Sequence, residues 1–164
     1  MSPLKRTWAP RGQTPTIRTS IEHRQRINLI SALCLSPGGR RLKLHLHSYW
    51  HTLRGDEVVA FLEQLLRLVH GPIILVWDRH PIHRRLSVQA LLDGHARIQS
   101  YWFPTGAPEF NPAEYIWSQL SEYTASTAPR NAAELGQNIR GAIARTRRSQ
   151  SRLRACLAAS GLRW

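Results

Sequence analysis

Cysteine, acid and long apolar stretches are what this 164-residue chain has least of. Its two cysteines, Cys34 and Cys156, show no metal-ligand spacing and allow at most one bridge, so a disulfide scaffold is excluded and a reducing, cytoplasmic setting is expected. No apolar run approaches the roughly 18 residues that a membrane-spanning helix needs, and no membrane partner is expected. Residues 1–8 put no apolar core behind their charges, so no secretory signal is read there. Acids number ten against 23 lysines and arginines, a net charge of +13 with histidine neutral, and 21 of those cations are arginine.

Arginine binds phosphate through a planar fork of donors, so a polyanion, most simply nucleic acid, is the expected partner. The alternative is a merely basic soluble protein. With 42% apolar and 20% charged residues the chain has a globular balance, and its length suits one domain. The charge is uneven. Residues 1–26 carry a net +5 and residues 130–164 a net +7, whereas 27–129 hold nine basic and eight acidic residues. This reads as an irregular basic arm over 1–25, a packed core over 26–126, and an Arg-rich helical tail over 127–164.

Along the core, residues 26–36 read as a strand and Pro37-Gly38-Gly39 as a turn. Leu42, Leu44 and Leu46 alternate with polar residues in a second strand, giving a hairpin. Val58, Val59, Leu62, Leu65, Leu66 and Val69 lie on one helical stripe after Gly55-Asp56. Ile73 to Trp77 is an all-apolar strand, of a kind that calls for cover on both faces. A helix is expected from Pro81 to about Asp93 and a strand from Ile98 to Phe103. Asn111-Pro112 starts another helix, and a last helical region runs from Asn131 toward Gly161, with Arg140, Arg147 and Arg148 outward. The order β-β-α-β-α-β-α-α is an α/β plan.

Two acids stand out. Asp78 follows an apolar strand directly, where a carboxylate faces the crevice of an open α/β sheet, or else caps the next turn. Glu114 fits the third helical position of a capping box begun by Asn111, which needs no chemistry. Yet it follows Asp78 with 35 residues between, enough for a helix and a strand that bring the chain back to the same sheet edge. Two hard oxygen donors meeting there would suit Mg²⁺ or Mn²⁺. A pair of such ions about 4 Å apart stabilises both attacking and leaving oxygens in phosphoryl transfer.

Several other motifs carry weaker signals. His45, His47 and His51 show no fourth ligand at metal spacing and read as a solvated strand face near DNA. His80 and His83 alone are a weak metal signal, and Trp102 and Phe103 read as core.

The chain resembles bacterial insertion-sequence transposases of the mariner-related group. The likeness is carried by Trp8-Ala9-Pro10-Arg11-Gly12-Gln13-Thr14-Pro15, by Leu75-Val76-Trp77-Asp78 with His83, and by Phe103-Pro104. It continues through Pro108 and Asn111-Pro112-Ala113-Glu114 to Trp117, and ends on Leu153 to Gly161-Leu162. It implies a DDE catalytic domain with an α/β, ribonuclease-H-like mixed sheet flanked by helices. Asp78 would be the second acid of the triad and Glu114 the third, holding two Mg²⁺ or Mn²⁺ ions, with His83 and Asn111 as neighbouring site residues. DNA, both transposon ends and target, would be the substrate of cleavage and strand transfer, and a second transposase subunit a partner. The setting would be the bacterial cytoplasm, at the nucleoid. Lys5, Arg6, Arg11, Arg140, Arg145, Arg147, Arg148 and Arg152 are the expected DNA contacts.

In the family the first acid lies on a strand ahead of the Trp-Ala-Pro block, and Met1 falls after that point. Asp56-Glu57 imitates that acid but reads as a helix start. The expectation is therefore a sheet lacking its first, central strand, marginal in stability or completed by residues 16–21 or by a partner's edge. A catalytically inactive remnant that only binds DNA or another transposase is the alternative function, and an unrelated metal-dependent nuclease a weaker one.

Overall fold

The computed structural model describes residues 10–12 and 26–162. Lys5, Arg6, residues 16–21 and most of the basic arm lie outside them, while Arg11 sits exposed in a turn.

Strands β1 (Asn28–Leu35) and β2 (Leu42–Tyr49) form the expected antiparallel hairpin, with Leu35 opposite Leu42 and Asn28 opposite Tyr49. Leucine alternation on β2 sorts its faces. Leu42, Leu44 and Leu46 are buried with Leu29, Leu33 and Leu35 of β1 against three C-terminal helices. These are α3 (Pro112–Thr127), α4 (Ala132–Arg148) and α5 (Gln150–Ala159). Their contribution is Ile116, Leu120, Leu135, Ile139, Ala142, Ile143, Leu153 and Cys156, so the Arg-rich helices share one core with the hairpin. The outer edge of β2 is closed by side chains rather than by a strand. Gln150 accepts from the Leu42 N–H at 3.1 Å and donates to its carbonyl at 2.7 Å. Arg147 donates to the Leu46 carbonyl at 2.6 Å, which satisfies an edge that would otherwise invite pairing.

A second core joins α1 (Gly55–Leu68) and α2 (Leu86–Gly94) to the parallel pair β3 (Ile73–Trp77) and β4 (Ile98–Trp102). Helix α1 buries Val58, Phe61, Leu62 and Leu65. Asp56-Glu57 does open this helix, and Glu57 accepts from the Arg54 N–H at 2.7 Å. At its other end Arg97 donates to the carbonyls of Leu66, Val69 and Gly71, satisfying terminal acceptors that the helix leaves unpaired.

Three elements differ from the sequence reading. The helix expected from Pro81 splits into a 3₁₀ turn, Pro81–Arg84, and α2, because Arg85 between them is extended (φ −63°, ψ 144°). The C-terminal helical region breaks at Ser149, whose hydroxyl caps α5 by accepting from the Arg152 N–H. Strand β3, expected to be covered on both faces, has Trp77 turned inward while Ile74 is 71% and Val76 42% exposed. Within the described residues β3 pairs only with β4, and β1 only with β2, so the α/β frame contains two small sheets. This arrangement of small sheets flanked by helices is compatible with a ribonuclease-H-like fold.

Candidate active site

Trp77, the last residue of β3, points into the core and is 8% exposed, and Asp78 follows it directly. The turn-capping contact expected of Asp78 is present. Its Oδ1 accepts from the His80 N–H at 3.0 Å, the turn-capping contact, and lies 3.1 Å from His83 Nε2. The His83 ring is fixed from below by stacking on Trp77 (4.5 Å between centroids, 26° between planes), and Trp77 stacks in turn on Trp102 at 5.3 Å. Arg84 lies 5.6 Å above the Trp102 ring, and Arg79 donates to the Phe103 carbonyl at 3.2 Å. The hydrogen bond from His83, helped by the His80 N–H, holds the Asp78 carboxyl below the usual aspartate range against partial desolvation.

Glu114 arrives from the start of α3. Asn111 caps that helix, its Oδ1 accepting from the Ala113 N–H at 3.1 Å, and Pro112 occupies the first helical position. The capping box stays half built. The Asn111 N–H donates to the Pro108 carbonyl at 2.9 Å, so its donor goes to a backbone acceptor instead of the Glu114 carboxylate. Glu114 is instead raised above the usual glutamate range, first by desolvation and then by repulsion from Asp78. The two acids therefore lie within electrostatic reach of each other, and their affinities for a proton are driven apart.

Asn111 serves here as a helix cap rather than as a contact to either acid. Asn111→Ala is expected to lower stability by about 1 kcal/mol through loss of that cap. Urea unfolding of the two forms checks this.

Among the described residues no group of three or more His, Cys, Asp or Glu side chains is arranged to hold a metal ion. His51, after β2, pairs with Glu57 at 2.9 Å and His47 meets the Phe61 ring edge-on, whereas the buried His45 Nε2 has no hydrogen-bond partner among the described residues. His45 is partly buried beside Arg147 and Lys43, and burial foremost pushes its pKa down. The expected DNA-contacting arginines divide. Arg145 lies over the Tyr123 ring at 4.6 Å, and Arg147 is bound to β2, whereas Arg140, Arg148 and Arg152 are exposed without an acidic partner among the described residues. The sequence reading missed the His83–Trp77–Trp102 stack, since Trp77 and Trp102 come together only through the β3–β4 register.

Asp78, directly after β3, and Glu114, in the first turn of α3, are the two acids that this α/β frame brings within electrostatic reach of each other. Residues 1–136 match the model of the DDE superfamily endonucleases, and the chain belongs to that family. No curated protein matches it.

Proposed function

We propose that this chain is the catalytic core of a DDE transposase, acting on DNA phosphodiesters with Asp78 and Glu114 as two of its acids. The observation that carries this reading is the match of residues 1–136 to the DDE superfamily endonucleases, with Asp78 at the end of β3 and Glu114 in the first turn of α3, close enough for repulsion from Asp78 to add to the upward shift of Glu114. Two carboxylates that repel one another fit two of the hard-oxygen ligands a divalent cation takes. When bound, Mg²⁺ or Mn²⁺ supplies Lewis-acid polarisation of the phosphodiester and stabilises the attacking and leaving oxygens.

The chain's own side chains prepare that site. His83 occupies Asp78 Oδ1 and keeps the carboxylate ionised, while Oδ2 has no hydrogen-bond partner among the described residues. The stacked Trp77 fixes the His83 ring and with it the carboxylate plane. Glu114 holds a proton more readily than an ordinary glutamate, so it responds more strongly to a cation that offsets the charge of Asp78.

The resemblance calls for a third acid on a central strand beside β3. The bare Ile74 and Val76 side chains, and an edge of β3 unpaired within the described residues, are in keeping with a strand supplied from elsewhere, including another transposase subunit. The second reading, a remnant that binds DNA without cutting it, is favoured by the lack of a third ligand near Asp78 and Glu114 among the described residues. Cleavage of a labelled terminal-repeat duplex in Mn²⁺ separates the two. Cutting that depends on Asp78 supports the enzyme, and binding without cutting supports the remnant.

A further inference from the structure

Read in sequence, the phosphate-binding charge belongs to the two ends of the chain, and residues 27–129 are close to neutral. Folding removes that neutrality at one place. Arg54 precedes α1 and Arg85 precedes α2, and the two helix starts approach closely at Gly55. A Cβ on Gly55 would stand 2.7 Å from Ser87 Oγ and 3.0 Å from the Arg85 Cβ. Beside this contact opens a cleft of about 720 Å³ with Arg54, Arg85 and His80 on its wall and Asp56 as its one acid. Both arginines are exposed, and although the Arg54 backbone N–H donates to Glu57, neither guanidinium has a carboxylate partner among the described residues.

The cleft adjoins the candidate active site. His80, on its wall, is the residue whose N–H donates to Asp78 Oδ1. Two unpaired guanidinium groups on an open, solvated wall suit an extended polyanion better than a small enclosed ligand. The chain's +13 charge directs the same choice of partner.

We infer that this cleft seats the phosphodiester backbone of the DNA strand flanking the position presented to Asp78, with Arg54 and Arg85 each contacting a phosphate. The inference rests on the DNA-processing reading above and adds to it the residues that align the strand. The expected contacts thus include arginines of the core as well as those of the basic ends.

The test is fluorescence anisotropy of a labelled 30-base-pair duplex with the full chain, without divalent ions, across a series of salt concentrations. Arg54→Gln/Arg85→Gln is expected to weaken binding about tenfold and to reduce the slope of log affinity against log salt by about 2. Arg40→Gln/Arg41→Gln, which removes equal charge at the hairpin turn, is expected to change affinity less than about twofold. Arg54→Lys/Arg85→Lys keeps the charge and is expected to restore most of the slope, which distinguishes lost contacts from lost folding. Wild-type affinity in the cleft double variant, or a loss no greater than that of the Arg40/Arg41 variant, overturns the inference alone. Failure of the wild-type chain to bind DNA overturns it together with the DNA-processing reading.

Discussion

Asp78→Ala is expected to remove Mn²⁺-dependent strand cutting by this chain, lowering its rate by about 10³-fold or more. A ligand to a cation that stabilises developing charge contributes several kcal/mol to the barrier, and each 1.36 kcal/mol is roughly a factor of ten. The same variant should bind duplex DNA at least as tightly as wild type, because a negative charge has been removed from a basic surface. That split between cutting and binding is the informative outcome. A parallel loss of both would point to misfolding, and unchanged cutting would remove Asp78 from the chemistry. His83→Gln should give an intermediate loss, since glutamine can still donate to Oδ1 but has no ring to stack on Trp77.

The largest effect on stability is expected at Trp77. Its side chain is buried between His83 and Trp102 at the seam of β3, β4 and the α1–α2 layer. Truncating a buried tryptophan to alanine costs about 3–5 kcal/mol, a large share of the roughly 5–15 kcal/mol that holds a domain folded. Thermal unfolding of Trp77→Ala should show a midpoint lowered by roughly 10 °C, at about 2–4 °C per kcal/mol for a chain of this size. Ile74→Ala, three residues away on the bare face, should cost about 1 kcal/mol or less. Equal losses at the two positions would mean that the exposed face of β3 is covered in solution.

The contrast between Trp77 and Ile74 also shows what could be read from the sequence. The bounds of β3 were legible because an unbroken apolar run lies between Pro72 and Asp78. The start of α3 was legible because Asn111 and Pro112 are a cap and a first helical residue. The inward stripe of α4 followed from Leu135, Ile139, Ala142 and Ile143, all of which are buried. What was not legible depends on partners distant in sequence. An apolar strand does not state how many neighbours it has, so the bare face of β3 escaped the periodicity argument. The break at Ser149 carries neither glycine nor proline. Arg147 read as an outward arginine and Gln150 carried no sequence signal, yet they close the edge of β2 across more than a hundred positions. At the site, spacing and resemblance singled out Asp78 and Glu114. The clamp of His83 on Trp77 and the gathering of Arg54 with Arg85 required coordinates.

The claim on which the rest depends is that Asp78 and Glu114 share one site. Carbon-13 NMR titration of the Glu114 carboxyl, in the wild-type chain and in Asp78→Asn, tests it without requiring activity, metal or DNA. In the wild type this carboxyl is raised by desolvation and by the neighbouring charge. Replacing that charge with a neutral amide should move the Glu114 midpoint down toward the ordinary glutamate value, leaving only the part due to burial. An identical Glu114 midpoint in both proteins would contradict the shared site and, with it, the two-acid reading of this chain.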